Sequence, residues 1–508
     1  MAVVVALDAG TTGIRALALK DAGQDAGNEA GVVTAWAYKE FTQYFPRPGW
    51  VEHDAEEIWH TAAAVLSELA AKISEPVAAI GITNQRETAI IWNKQTGKAL
   101  ARGIVWQDRR TASHCQELEA DGHLPLIREL TGLVLDPYFS ATKFAWLLNE
   151  CDTPLEDLAL GTVDAWLVWQ LTEGEVFATE PSNASRTMLF DINKRQWSQE
   201  LCELFGVPIT ALPEVLPSCG IIAETAQSSP LGGGIPISGI AGDQQAALFG
   251  QACFDPGDVK NTYGTGSFVL MNIGDASPPP IHDGLLTSVG WDLAGAARAT
   301  GAPGVAGTPN ITYVLEGAIF ITGAAVQWLR DGLGIISDAS ELESLALQCD
   351  NSGGCVFVPA FAGLASPWWD SAARGSIFGL TTAVAPPQLA RATIASMSYQ
   401  TKDVVRAMEA ASGHKLSSLR VDGGASAMNL LLQHQADALA AKVLRPSMTE
   451  TTARGAAWLA GLGAGVWSSL DDLRAQWQLD VEVSPASQGD PREEELWHRA
   501  VERTRAFA

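Results

Sequence analysis

Long apolar runs are missing from this 508-residue chain. No uninterrupted stretch reaches the ~20 residues that a membrane helix needs, which argues against stable membrane insertion. The apolar start at residues 1–7 is short, has no basic lead and runs into Asp8, so it reads as a buried strand and not as a signal peptide. Cysteine is also scarce: the seven residues are odd in number, dispersed, and form no Cys-x-x-Cys. That pattern argues against a disulfide frame or a zinc site and for reduced thiols in the cytoplasm. Cations are the minority charge, with 33 Lys and Arg against 58 Asp and Glu, a net charge of −25. Such a surface repels nucleic acid and anionic membranes. An anionic substrate would need local cations or backbone N–H groups to hold it. There is no Walker A sequence and no strand–Gly-x-Gly-x-x-Gly–helix fingerprint, so the P-loop and Rossmann readings fail.

What is present describes a globular protein: 47% of residues are apolar and 18% charged. The length is too great for one core and suits two large domains. β-like runs at 3–7 and 14–19 flank the Gly/Thr tip at 8–13, and a similar arrangement recurs at 259–271 around Gly264-Thr265-Gly266-Ser267. This is a weak internal repeat, implying two related domains facing one another across a cleft. Asp255-Pro-Gly-Asp258 is a strong turn signal near the junction. Elsewhere strands alternate with helices: an amphipathic helix over 55–72, strands at 77–82 and 88–92 around the loop 83–87, and a helix over 388–411. A strand at 419–421 precedes a helix over 428–441. The pattern is α/β. Residues 21–31 and 292–307 read as surface insertions.

The residues suited to chemistry are few. Asp243 stands with Gln244 and Gln245 between a β-type run and an Ala-rich helical run. A helix N-terminus favours an ionised carboxylate, so Asp243 is placed to take a proton from a small polar substrate; an ordinary helix cap is the alternative. In the Gly/Thr hairpins, backbone N–H groups and Thr hydroxyls can meet phosphate oxygens, and Arg15 can add a cation. Asp422-Gly423-Gly424 permits close approach of a flat ligand such as a nucleoside, or is a plain tight turn. Arg86 and Glu87 in Asn84-Gln-Arg-Glu87 can offer donors and acceptors to neighbouring hydroxyls. Trp106 and Tyr138 can wall a small carbon face, although such aromatics are more often core.

Together these segments resemble the FGGY carbohydrate kinase family. The resembling residues are Asp8-Ala-Gly-Thr-Thr-Gly-Ile-Arg15, Pro48-Gly-Trp-Val-Glu-His-Asp54, Gly81-Ile-Thr-Asn-Gln-Arg-Glu-Thr88, Ile104-Val-Trp-Gln-Asp-Arg-Arg110, Asp136-Pro-Tyr-Phe-Ser140, Asn183-Ala-Ser-Arg-Thr-Met-Leu-Phe190, Gly239-Ile-Ala-Gly-Asp-Gln-Gln245, Asn261-Thr-Tyr-Gly-Thr-Gly266 and Val421-Asp-Gly-Gly424. They run in order over nearly the whole chain. The Asn-Gln-Arg-Glu and Asp-Pro-Tyr-Phe-Ser segments are similar to the branch that phosphorylates glycerol and unlike the pentulose kinases.

The resemblance implies an α/β fold of two actin-like (ribonuclease H-like) ATPase domains facing a central cleft. Residues 1–251 would hold the polyol site and the phosphate hairpin, and 252–508 the nucleotide site. It implies ATP-dependent phosphorylation of glycerol to sn-glycerol 3-phosphate with Mg²⁺, by a cytoplasmic homodimer or homotetramer. In that pattern Arg86, Glu87, Tyr138, Asp243 and Gln244 meet glycerol hydroxyls, and Trp106 and Phe268 cover its carbons. Thr11, Thr12, Gly13, Arg15 and Thr265 hold phosphates, while Gly323, Gln327 and Gly424 line the nucleoside. Asp8 and Asp243 lie near Mg²⁺, with Asp243 as base and Asp8 and Arg15 assisting. Two positions depart from the pattern: Gly13 stands where Ser is common, and Met428 where an Asn meets the nucleotide.

Overall fold

The computed structural model describes residues 2–20, 32–296, 310–487 and 489–505. The expected insertion at 21–31, and residues 297–307 of the other, lie outside the described residues. In the N-terminal half, β1 (Val3–Ala9), β2 (Gly13–Lys20) and β3 (Val32–Glu40) form an antiparallel meander. Two strands then add in parallel beside β1: β4 (Val77–Asn84) and, beyond it, β6 (Pro236–Gly242). β5 (Cys219–Glu224) closes the far edge antiparallel, giving the order β5-β6-β4-β1-β2-β3. β1 and β4 are buried along almost their whole length, as expected of near-continuous apolar runs covered on both faces.

The C-terminal half repeats this plan. β7 (Val259–Tyr263), β8 (Ser267–Asn272) and β10 (Ile311–Ile319) form the antiparallel meander, extended by β9 (Leu286–Asp292). β11 (Ser418–Asp422) and β12 (Lys442–Pro446) add in parallel beside β7, and β13 (Leu479–Val483) closes the edge. The order is β9-β10-β8-β7-β11-β12-β13. Three antiparallel strands followed by two parallel ones in both halves bear out the repeat expected from the paired hairpins, and this is the actin-like arrangement.

Helices cover both sheets. α1 (Ala55–Ala70) is capped by the Asp54 carboxylate, which accepts from the N–H groups of Glu56 and Glu57. α2 (Asp243–Gly250) follows β6 directly. α3 (Pro386–Ser412) begins slightly earlier than the sequence pattern suggests, because proline suits the first helical turn. α4 (Asn429–Leu439) follows the Asp422-Gly-Gly turn.

α5 (Thr451–Gly463) comes from the C-terminal half but lies on the N-terminal sheet. Small residues let it in. A Cβ on Gly81 of β4 would sit 2.1 Å from the Ala456 carbonyl oxygen, and one on Gly239 of β6 would sit 2.3 Å from the Ala460 nitrogen. α5 also crosses α2 at backbone contact: a Cβ on Gly455 would lie 1.8 Å from the Ala246 carbonyl oxygen, and one on Gly250 would lie 2.0 Å from that of Thr451. The two halves are thus joined through a glycine-lined helix crossing as well as through the chain.

Candidate active site

Strand register gathers the site. Ala9, Asn84 and Gly242 lie side by side at the carboxyl ends of the parallel strands β1, β4 and β6. The segments that leave these three strands therefore emerge at one edge: the Gly10–Thr12 tip, the Gln85-Arg86-Glu87 loop and Asp243. In open α/β sheets this is the edge where ligands bind. The loop is tied down by the Gln85 N–H, which donates to the Ala9 carbonyl at 2.8 Å, and by the Gln85 side chain, which donates to the Gly10 carbonyl at 3.1 Å. Glu87 is held in the left-handed conformation at φ 63°, a backbone state that costs about 1–3 kcal/mol and is often found at functional sites.

Of the seven side chains expected to bind polyol, Asp243, Arg86, Tyr138 and Trp106 meet one another directly. Asp243 is the first residue of α2, preceded by Gly242, and its Oδ1 accepts from the Gln244 N–H at 2.7 Å. Arg86 Nε lies 3.2 Å from Asp243 Oδ1, and Arg86 Nη2 is 3.4 Å from the Tyr138 hydroxyl. Trp106 and Tyr138 meet edge to face with ring centroids 5.8 Å apart, and the Trp106 indole N–H donates to Thr11 Oγ1 at 3.0 Å. The aromatic wall therefore touches the phosphate hairpin. Phe268 of β8 is half-buried and packs against the apolar cluster between the two sheets that includes Leu270 and Phe249.

Three buried charges to which the sequence reading assigns no role complete the arrangement. Glu316 of β10 accepts from Arg86 through both oxygens, at 2.5 and 3.0 Å, and from Arg186 at 3.2 Å. Arg186 in turn donates to Glu87 Oε1 at 2.6 Å. Lys260 of β7 donates to Gln244 Oε1 at 2.5 Å and to Thr262 Oγ1 at 2.9 Å. Burial alone would raise the Glu316 carboxyl, but Arg186 and Arg86 outweigh it and hold it at about 2. Glu87 is shifted up, burial prevailing over the two arginines. Burial lowers Lys260 to about 8 against the pull of Asp422 and Asp243. A signal existed for Glu316: it is the one acid in a nine-residue strand that is otherwise apolar or small and wholly buried, and buried charges require partners.

The nucleotide candidates gather at the second hairpin. The Thr322 and Ala324 N–H groups donate to the Thr265 carbonyl at 2.9 and 3.0 Å, and the Gly323 N–H donates to that of Gly264 at 3.0 Å. This binds the turn Gly323–Gln327 to the tip. Gly423, at φ 84°, packs where a Cβ would lie 2.3 Å from the Tyr263 carbonyl oxygen, which brings Gly424 beside the same tip. Met428 precedes α4 and packs half-buried against the C-terminal core. At Gly13 a Cβ would meet the Tyr38 hydroxyl and the Lys39 carbonyl, both at 2.7 Å, so a serine does not fit this hairpin without movement of Tyr38 and of the β3 backbone at Lys39. Arg15 is not free: it pairs with Glu450 and lies over the Tyr38 ring at 5.5 Å. A cavity of about 420 Å³ in the C-terminal domain, lined by Arg391, Tyr399, His434, Glu493 and Trp497 among others, shares none of these residues.

Asp8, paired with Arg15 across the hairpin, is raised to about 7 by burial and the charge of Asp243, against Arg15. In the unfolded chain an Asp titrates near 3.8. Below that value both states bind the proton and Asp8 costs the fold nothing. As pH rises towards 7 the native state retains a proton the unfolded chain has lost, and above 7 it must hold an unfavourable charge, so stability falls over this window. Asp8→Asn is therefore expected to raise the melting temperature of the metal-free protein, by a margin that grows between pH 5 and pH 8. A margin independent of pH would contradict the assignment.

The comparisons agree with this architecture. The N-terminal domain of the FGGY family of carbohydrate kinases matches residues 3–250 and its C-terminal domain matches residues 259–464. The chain belongs to that family. Within it, the chain is 50% identical to a glycerol kinase of Bordetella parapertussis over 99% of this chain and 97% of that one. It is 48% identical to a glycerol kinase of Geobacillus kaustophilus over 99% of both. Among solved structures it is similar to a Plasmodium falciparum glycerol kinase with ADP, with a TM-score of 0.88 and 33% identity over 99% of this chain and 98% of that one. A xylulose kinase of Lactobacillus acidophilus, at 19% identity and TM-score 0.84 over 100% and 98% of the two chains, shares the fold.

Proposed function

We propose that the protein transfers the terminal phosphoryl group of ATP to glycerol, giving sn-glycerol 3-phosphate. The observation that carries this reading is the convergence of Arg86, Glu87, Tyr138, Asp243 and Gln244, with Trp106 beside them, at the carboxyl ends of β1, β4 and β6; Phe268 would add a second aromatic face from the C-terminal sheet. A small polyol offers a hydroxyl edge and a carbon edge, and this set offers a charged, hydrogen-bonding side and an aromatic side. Near-complete coverage of glycerol kinases at about half identity supports the same substrate.

In this reading Asp243 orients the attacking hydroxyl and accepts its proton late, since phosphoryl transfer demands alignment and charge neutralisation more than a strong base. The Gly10–Gly13 and Gly264–Gly266 tips, with Thr11, Thr12 and Thr265, offer N–H and hydroxyl donors to phosphate from the two domains, and Gly323, Gln327 and Gly424 border the nucleoside. Arg15 joins the phosphates after exchanging Glu450 for them. Asp8 and Asp243 fit Mg²⁺ in donor type, because this ion takes one or two carboxylates together with substrate phosphates. When bound, the ion would neutralise phosphate charge.

The test is phosphorylation by the purified protein with ATP and Mg²⁺ across glycerol, dihydroxyacetone, erythritol, D-xylulose and L-ribulose. The expected result is a kcat/KM for glycerol at least tenfold above the others. Preference for a pentulose would mean that the Arg86–Glu87 loop serves a larger substrate.

A further inference from the structure

We propose that Glu316 and Lys260 of the C-terminal sheet are positioning residues for the polyol site of the N-terminal domain. The site then has its binding geometry only while the C-terminal domain is seated against it. The inference rests on the polyol-kinase reading above and adds the residues that link substrate affinity to domain placement.

Register supplies the first argument. Lys260 lies opposite Leu270, and Leu270 lies opposite Glu316. Neighbours across a sheet project to one face, so the two charges share a face with Leu270 between them. Leu270 belongs to the apolar cluster that includes Ala246, Phe249, Ala456 and Leu459 of α2 and α5, so this is the face turned towards the N-terminal domain. A buried ammonium and a buried carboxylate on such a face would be strongly destabilising without partners. Each has an N-terminal polyol residue among its partners: Glu316 takes Arg86 through both oxygens, beside Arg186, and Lys260 takes Gln244, beside Thr262 of its own strand.

Competition for Arg86 supplies the second argument. Its guanidinium lies near three carboxylates, at 2.5 Å from Glu316, 3.2 Å from Asp243 and 3.7 Å from Glu87. The bidentate hold of Glu316 takes Nη1 and Nη2, leaving Nε towards Asp243. With Glu316 neutral, Arg86 has only the two substrate-site acids to pair with. It would turn onto Asp243 and Glu87 and occupy the oxygens that a polyol needs. Lys260 acts in parallel by fixing the Gln244 amide.

Glu316→Gln tests this through a split in kinetic constants. The expected result is a rise of at least tenfold in KM for glycerol, with KM for ATP changed less than twofold. The same substitution made on an Arg86→Met background should then raise the glycerol KM by less than twofold, because its effect passes through Arg86. Equal changes in both KM values, or a full additional loss on the Arg86→Met background, would reduce Glu316 to a structural role and overturn the proposal. If Glu316→Gln shows no cooperative melt, Glu316→Asp, which keeps the charge but withdraws it by one methylene, is read instead: a raised glycerol KM supports the proposal and an unchanged one overturns it. Lys260→Met should raise the glycerol KM in the same direction. Wild-type protein that leaves glycerol unphosphorylated would refute the functional reading, whereas active wild type with unaltered variants refutes only this inference.

Discussion

Asp243→Asn should leave the protein folded and lower kcat for polyol phosphorylation by about 10²- to 10⁴-fold, the usual contribution of a positioned general base. The asparagine keeps the shape of the aspartate and can still accept from the Gln244 N–H that now reaches Oδ1 at 2.7 Å. What is lost is the charge. At the first position of α2 that charge is favoured by the helix N-terminus, and it lies 3.2 Å from Arg86 Nε. Arg86 retains its bidentate partner Glu316, so the substitution leaves no buried cation unpaired, and the melting temperature should stay within ~2 °C of the parent. Turnover at saturating glycerol and ATP, measured beside a thermal melt, checks both halves. A kcat within tenfold of wild type would remove Asp243 from the proton-accepting role.

The second large effect is on the fold. Gly455→Val places a branched side chain where even a Cβ would lie 1.8 Å from the Ala246 carbonyl oxygen. The obstacle is backbone at the α2–α5 crossing, which cannot rotate away as a side-chain tip can. Overpacking of a close-packed contact costs about 1–3 kcal/mol, occasionally more, and this position belongs at the upper end. A loss of ~3 kcal/mol corresponds to roughly 6–12 °C in melting temperature for domains of this size. Because Asp243 opens the same helix, residual activity should fall more steeply than folded fraction. A melt within 2 °C of wild type would show that α5 can ride outward from α2 and that the small-residue contact is dispensable.

Much of this was legible in the chain. The paired Gly/Thr hairpins gave the repeated sheet, and Asp243, Arg86, Glu87 and Tyr138 stood in short polar motifs beside apolar runs. Those motifs lie at strand ends, where backbone register brings them together with little need of long-range information. Glu316 and Lys260 went unmarked, and Arg186 stood in a resembling segment without a role, because the meaning of each charge lies in a distant partner: Arg186 and Glu316 are 130 residues apart, and Lys260 meets Gln244 of the other domain. The engagement of Arg15 by Glu450 was likewise invisible, since nothing near either residue marks the other. The seating of α5 on the N-terminal sheet has the same origin: its alanines and glycines suit a tight contact, but they do not say with which sheet.

That seating also orders events during synthesis. The face of the N-terminal sheet that carries Gly81 and Gly239 is covered by residues 451–463. When the ribosome has completed the first 250 residues, roughly 200 more must be translated before this cover exists, on the order of 10–40 seconds at ~5–20 residues per second. Val4, Ala6 and Ala79, all buried in the finished protein in the cluster that includes α5, lack that cover until then. The N-terminal sheet therefore reaches its final packing only after α5 has been made, so the last step of its burial is a long-range event that joins the two halves of the chain.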